Sequence, residues 1–384
     1  MFLIVIPLVG VVFLIYFFTF SKEEKKNYIK ENIVVIIYFI IRIISLLFLG
    51  FDSRIIGCMV YEIMFLVFIN RWTLSDYKKV KYIFIMFIVF NFIVNVCSLI
   101  VGALGLNGFI SLAYNVNSLA YEFPWASVYM NPNNGGIMTA IAIILYLCIA
   151  KFKVKYIPMH IIYMAFSLFM LMKYDCRSAV MSLILCGLGY IIDKALKISK
   201  KRLIQAILII VVLCNAALIA IINIDEIQSS EPIKVINTLS TERYIIWYDA
   251  FYTAKENNML LLGEGSNENE LENRNNYLLK EWENNGFDTN SYPTTKLGLH
   301  NGYFSILFGA GIICAILFLI IMWQKIRQAE ILNEGYWYLV VIFALMVNNF
   351  EALLIMNRSY VCFIMMIILV MTKTSDNKTS KTKG

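Results

Sequence analysis

Two arginines, a histidine and a carboxylate stand where their chemistry would matter. Arg177 lies in Asp175–Cys176–Arg177–Ser178–Ala179, at the mouth of an apolar run, and Arg243 lies in Thr241–Glu242–Arg243–Tyr244–Ile245–Ile246–Trp247. His300 belongs to Gly298–Leu299–His300–Asn301–Gly302–Tyr303–Phe304, and Glu351 follows Asn348–Asn349–Phe350. A guanidinium can grip a diphosphate through paired hydrogen bonds. An imidazole is well suited to take up a proton at neutral pH. A carboxylate inside an apolar stretch needs a partner, here Arg177 or Arg243, or it accepts a proton itself. Gly263–Glu264–Gly265 could turn backbone N–H groups towards an anion. Each has a plainer reading. Arg177 could anchor at an interface beside Asp175, Arg243 could pair with Glu242 or stack on Trp247, His300 could be inert, and the glycines could form a simple turn. A base could equally be Asp249, Glu264 or Glu351. Arg42, Arg358 and His160 are the other intramembrane candidates, and His160 reads as structural.

These residues need a scaffold, and the composition says which kind. Of 384 residues, 60% are hydrophobic and 15% charged. Soluble domains run at about 45–50% and about 25%. The surplus excludes a single soluble core and points to lipid as solvent. A spanning helix needs about 20 apolar residues. Such runs fall near 2–20, 33–50, 55–70, 82–104, 136–150, 157–172, 177–192, 203–224, 302–323, 337–356 and 360–372. The expected fold is therefore an all-α polytopic membrane protein of about eleven transmembrane helices. Residues 1–224 hold the first eight, 225–301 form one large extracytoplasmic loop, 302–372 hold the last three, and 373–384 form a polar, disordered cytoplasmic tail.

Orientation follows from charge. Segments alternating with that loop hold 22 of the 33 Lys and Arg residues, against 10 on the loop's own side, six of them in the loop itself. Long loops escape the positive-inside rule, so the short ones decide. They place the N-terminus outside and the C-terminus in the cytoplasm, with the first apolar run an uncleaved span. The 225–301 loop holds 13 of the 26 acids. A helix from the Ser240–Thr241–Glu242 cap through Lys255 is expected there, with Tyr244, Ile245, Trp247, Tyr248 and Phe251 at three- and four-residue spacing. A second helix is expected near 270–284. Eight cysteines, with none in the loop and no CxxC pair, imply neither a disulfide framework nor a zinc site.

In this order and spacing, the motifs resemble the bacterial O-antigen polymerase and O-antigen ligase superfamily. The carriers are Arg177–Ser178–Ala179, then Arg243 with Trp247 and Ala250, then Gly263–Glu264–Gly265. His300–Asn301–Gly302–Tyr303–Phe304 follows, leading into Phe308–Gly309–Ala310–Gly311. The likeness covers roughly 174–321. Cys176 departs from the Ser or Thr common before the arginine, and eleven spans is one fewer than is often drawn for ligases. The resemblance implies a glycosyltransferase of the bacterial inner membrane whose donor is a polyprenyl-diphosphate-linked oligosaccharide. It implies no cofactor and no metal. It assigns His300, Arg243 and Arg177 to catalysis, and the two arginines to the diphosphate. Trp247, Gly263, Gly265, Asn301 and Glu351 are expected to line the substrate site. Membrane lipid and a chain-length regulator protein are the other partners expected, and nucleic acid is not.

The leading expectation is polymerisation of repeat units into O-antigen, capsule or exopolysaccharide. A ligase moving finished polymer to a lipid or other acceptor is the nearest alternative. A peptidoglycan-type polymerase would use an external Asp instead. A lipid-oligosaccharide transporter would place polar groups along a central path and need no long loop.

Overall fold

The computed structural model describes residues 32–63, 77–105, 129, 132–150, 154–224, 231–240, 243–286, 288, 298–353 and 360–370. The span expected at 2–20, most of the 105–135 loop, Arg358 and the 373–384 tail lie outside them. Among the described residues every element is helical. The helices are α1 (Ile33–Leu49), α2 (Ser53–Ile63), α3 (Tyr77–Ala103), α4 (Pro132–Ile149), α5 (Ile157–Tyr174), α6 (Arg177–Leu196) and α7 (Lys200–Ile222). There follow α8 (Glu231–Leu239), α9 (Arg243–Glu256), α10 (Asn267–Asn284), α11 (Gly302–Gln328), α12 (Trp337–Val347) and α13 (Tyr360–Val370).

Six helices are long and apolar enough to cross a membrane: α3 from Val80, α4, α5, α6, α7 and α11. α1 and α12 are apolar but shorter. Among the described residues the chain is thus all-helical, with six such helices, as suits a multi-pass membrane protein. α12 is shorter than its apolar run. The apolar run expected at 337–356 stops being helical after Val347, where Asn348 and its neighbours turn the chain. Outward rows of large apolar side chains, such as Phe48, Met86, Met172 and Leu213, suit a lipid surround.

The chain divides into two compact units. One comprises 73–206, 328–347 and 367–384. Here α4 packs against α3, α5 and α6, and α6 against α12. Small residues permit close approach: a Cβ on Gly136 would lie 2.3 Å from the Cβ of Cys176. A cluster of polar side chains inside is hydrogen-bonded. Asn95 donates to Thr139 Oγ1 at 3.1 Å and accepts from Tyr174 OH at 2.8 Å and Tyr129 OH at 3.0 Å.

The other unit comprises 1–72, 207–327 and 348–366. Its core gathers Ile222 of α7, Ile233 of α8, Tyr244, Trp247, Phe251 and Ala254 of α9, Leu299, and Phe304 and Phe308 of α11. The three- and four-residue spacing on α9 is the reason one face turns inward; Ile245, off that face, is exposed. Both expected loop helices form. Ser240 Oγ accepts from the Tyr244 N–H at 3.1 Å and Ser266 Oγ from Asn269 N–H at 3.1 Å, satisfying amides at the starts of α9 and α10.

α11 is broken. Gly311 has φ 85° and ψ 165°, outside the helical region. The carbonyls freed there are taken by the segment between α9 and α10: Glu264 N–H donates to Phe308 O and Gly265 N–H to Gly309 O, both at 2.8 Å. Ile312 N–H returns a bond to Leu260 O at 3.0 Å. An opened backbone in an apolar helix is tolerated only where protein replaces the missing bonds. Contact is tight enough to demand glycine. A Cβ on Gly263 would sit 2.4 Å from Gly311 N, and one on Gly311 2.3 Å from Leu261 O.

A buried charge pair secures the same segment. Arg42 of α1 and Glu62 of α2 meet at 3.1 and 3.2 Å, with both side chains fully buried. Tyr38 OH donates to Glu62 at 3.0 Å. The Arg42 guanidinium also donates to Gly265 O at 2.7 Å, and Ser45 Oγ to Leu262 O at 3.0 Å.

Gly263→Ala should therefore lower stability severely, by about 3 kcal/mol or more, because the clash is with backbone at positive φ. Gly298→Ala, where a Cβ meets open space, is the control; equal melting temperatures for both variants would refute the close packing. Glu264 supplies a pH test. Burial pushes its carboxyl up to about 7, against the opposing hydrogen bond from Asn273. A folded carboxyl raised above its unfolded value favours the protonated form. Stability is then greatest on the acid side, falls as pH rises towards about 7, and is level above. Glu264→Gln should flatten that fall in a melting-temperature profile between pH 5 and pH 8.

Candidate functional site

In the unit containing α9 and α11, Glu351 joins two of the residues singled out for chemistry. Its Oε1 accepts from Arg243 Nη2 at 3.0 Å, and its Oε2 lies 3.1 Å from His300 Nδ1. Arg243 Nη1 also donates to the Phe350 carbonyl. Both basic side chains remain partly open, with 20% of Arg243 and 29% of His300 exposed against 11% of Glu351. A bound molecule can therefore reach both basic side chains while their shared carboxylate stays behind them.

Several elements fix this arrangement. Arg243 is the first residue of α9, and the buried face of that helix is the core described above. Trp247, one turn on, donates its indole N–H to Leu299 O at 2.7 Å and packs edge-on against Phe304, with centroids 5.3 Å apart. That bond holds the residue before His300. His300 itself has φ 48°, a left-handed turn that ends the loop before α11. Asn301 then caps α11: its Oδ1 accepts from the N–H groups of Tyr303 and Phe304 at 2.9 and 3.1 Å. Its amide donates to Asn215 of α7 at 2.9 Å, and Asn215 donates to Asn349 at 2.9 Å. Gly302 N–H reaches Asn348 O at 2.7 Å. Asn215, Asn348 and Asn349 thus tie the His300 turn to the segment carrying Glu351.

With Nδ1–H donated to a carboxylate, a neutral His300 carries its lone pair on Nε2, the tautomer of a general base oriented by an acid. Arg243 beside it offers fixed positive charge to a departing anion. Groups of the kinds that can activate a hydroxyl and meet an anion thus share one carboxylate.

Other residues expected at the substrate have different surroundings. Trp247 is buried in the core with its N–H bonded to Leu299, and no ring stacking with Arg243 is found among the described residues. Asn301 is 1% exposed, and both ends of its amide bond within the protein. Gly263 and Gly265 serve packing against α11 and Ile55. The N–H groups of Gly263, Glu264 and Gly265 bond to Met259, Phe308 and Gly309, so the anion-cradle reading gives way to a structural one. Arg177 opens α6 in the other unit, exposed, without a salt bridge to Asp175 among the described residues. It edges a groove of about 420 Å³ with Leu171, Met172, Cys176, Val180 and Met181. His160 lies buried against Tyr146 OH, as its structural reading expected.

Sequence reasoning missed Glu62 as the partner of Arg42, and the three asparagines behind His300. A lone acid and a lone base in neighbouring apolar runs were the available signal for the first. Nothing in spacing pointed to the second. The Trp247 contact is testable. Trp247→Phe keeps an aromatic ring but leaves the Leu299 carbonyl without its donor, which should cost about 1–3 kcal/mol. A melting temperature equal to the parent's would remove this bond from the account of the site.

A family model described as O-Antigen ligase matches residues 162–319. No curated protein and no solved structure matches the chain. The matched span runs from α5 into α11 and contains Arg177, Arg243 and His300, the order of motifs from which the likeness was first read. Over those residues the chain is similar to the O-antigen ligase family, in keeping with the O-antigen polymerase and ligase resemblance.

Proposed function

We propose that this protein polymerises polyprenyl-diphosphate-linked oligosaccharide repeat units at the extracytoplasmic face of the bacterial inner membrane. The observation carrying the proposal is the bridge from Glu351 to both Arg243 and His300. The acceptor hydroxyl oxygen forms a bond to the anomeric carbon of the donor as the bond from that carbon to the phosphate oxygen breaks. The electron pair stays with the lipid diphosphate, and the hydroxyl proton passes to His300 Nε2. Direct displacement inverts the anomeric centre. Arg243 meets charge developing on the leaving diphosphate, and Glu351 positions both groups. The resemblance also assigns Arg177 a diphosphate-binding role.

The family description supports a second reading, transfer of finished polymer to a lipid or other acceptor. Reconstitution decides between them. Purified protein is supplied with lipid-linked repeat unit extracted from its own host, and products are separated on gels. A ladder of lengthening glycans supports polymerisation; a single transfer to an added acceptor supports ligation. Arg243→Ala and His300→Ala should each reduce transfer by about 100-fold or more, with chelator having no effect. Full activity in either variant would sink the assignment, and movement of glycolipid across the bilayer without transfer would make this a transporter.

A further inference from the structure

Positions 273, 276, 277, 280, 281 and 284 of α10 recur at three- and four-residue spacing and so share one face, half-buried at 273 and 277 and exposed at the other four. They are Asn, Asn, Tyr, Lys, Glu and Asn. With Glu256 and Asn257 at the end of α9 they line a groove of about 660 Å³. That volume falls within the about 300–1,000 Å³ of small-molecule sites.

The chemistry of the groove is specific. Side-chain amides both donate and accept hydrogen bonds, as sugar hydroxyls do. Tyr277 adds an aromatic face, as saccharide C–H surfaces require. Burial raises the Tyr277 phenol, and the nearby carboxylates of Glu281, Glu256 and Asp249 add to that shift, so the ring lies among acids. Lys280 is the one cation among the lining residues. The excess of negative charge disfavours uronic acids and sugar phosphates and suits uncharged saccharide. Two buried polar atoms have no hydrogen-bond partner among the described residues, Thr253 Oγ1 and Glu264 Oε1, each in a residue 2% exposed. Thr253 is one turn before Asn257 on the same face of α9. The other oxygen of Glu264 accepts from the amide of groove-lining Asn273.

We propose that the α9–α10 groove is a saccharide subsite that grips an uncharged stretch of glycan remote from the bond being made. This deepens, and rests on, the glycosyl-transfer reading. Arg243 and Glu256 stand at opposite ends of α9, about 20 Å apart at 1.5 Å per residue. The groove therefore engages sugars several units from the reacting carbon, and favours longer acceptors over short ones.

The test uses full-length protein in proteoliposomes. The probes are glycolipid extracted from the host's membranes and the free oligosaccharide released from it by mild acid. Binding of the free oligosaccharide is read by saturation-transfer NMR, and KM and kcat by glycolipid transfer. Tyr277→Ala and the nearly isosteric Asn276→Asp should each weaken binding, and raise KM, by about tenfold, with kcat within about threefold. Asn276 is exposed, so its variant should melt with the parent. Arg243→Ala should lose transfer yet bind the free oligosaccharide normally. Unchanged binding and KM in both groove variants, with Arg243→Ala inactive, would overturn the subsite and leave the transferase reading intact. Absence of oligosaccharide binding by the parent protein would also overturn it. Binding lost in the groove variants, with no transfer by the parent, would keep the subsite and remove the transferase reading.

Discussion

A backbone opened inside an apolar helix must find hydrogen-bond partners in the protein itself. The break at Gly311 meets that demand with residues 260–265, and the rest of this unit follows from the solution. The segment that repairs α11 is also the connection from α9 to α10. Fixing it against α11 fixes the helix that begins with Arg243 against the helix that His300 precedes. Arg42 reaches the same segment from α1, neutralised by Glu62 so that a fully buried guanidinium is tolerated. Geometry at the candidate site is thus held by bonds made well away from it.

The site also obeys an economy of charge. One carboxylate faces two basic groups, so none of the three is buried without an opposite charge. The basic groups are more exposed than the acid between them. That asymmetry fits a site receiving anions, because the arriving charge meets the Arg243 guanidinium before the carboxylate. The asparagines behind His300 do what hydrophobic packing alone cannot: they set the direction of a left-handed turn through directional bonds to α7 and to the Asn348 segment.

Much of this was legible from residue types. A carboxylate in Asn348–Asn349–Phe350–Glu351 called for a cation, and Arg243 fills that role. Apolar spacing after Ser240 foretold both α9 and its cap. Other features were hidden for physical reasons. Glycine permits close backbone approach and also anion cradles, and Gly263–Glu264–Gly265 alone does not distinguish them; only the break at Gly311 does. Trp247 and Asn301 have polar atoms that suit a ligand equally well, but whether those atoms bond inward depends on residues far along the chain, Leu299 and Asn215. Apolar composition records what lipid tolerates and not where a helix ends, as the α12 run, which stops being helical at Val347, shows.

The separations along the chain have a consequence for biogenesis. Arg42 and Glu62 are 20 residues apart, whereas Arg42 meets Gly265 across 223 residues and Arg243 meets Glu351 across 108. Synthesis proceeds from the N-terminus. The first buried charges can neutralise each other soon after they emerge from the ribosome. Arg243 and His300 are made well before the acid that joins them. The reactive constellation is consequently among the last parts to assemble, and a nascent chain interrupted before Glu351 carries both basic groups with no means of bringing them together.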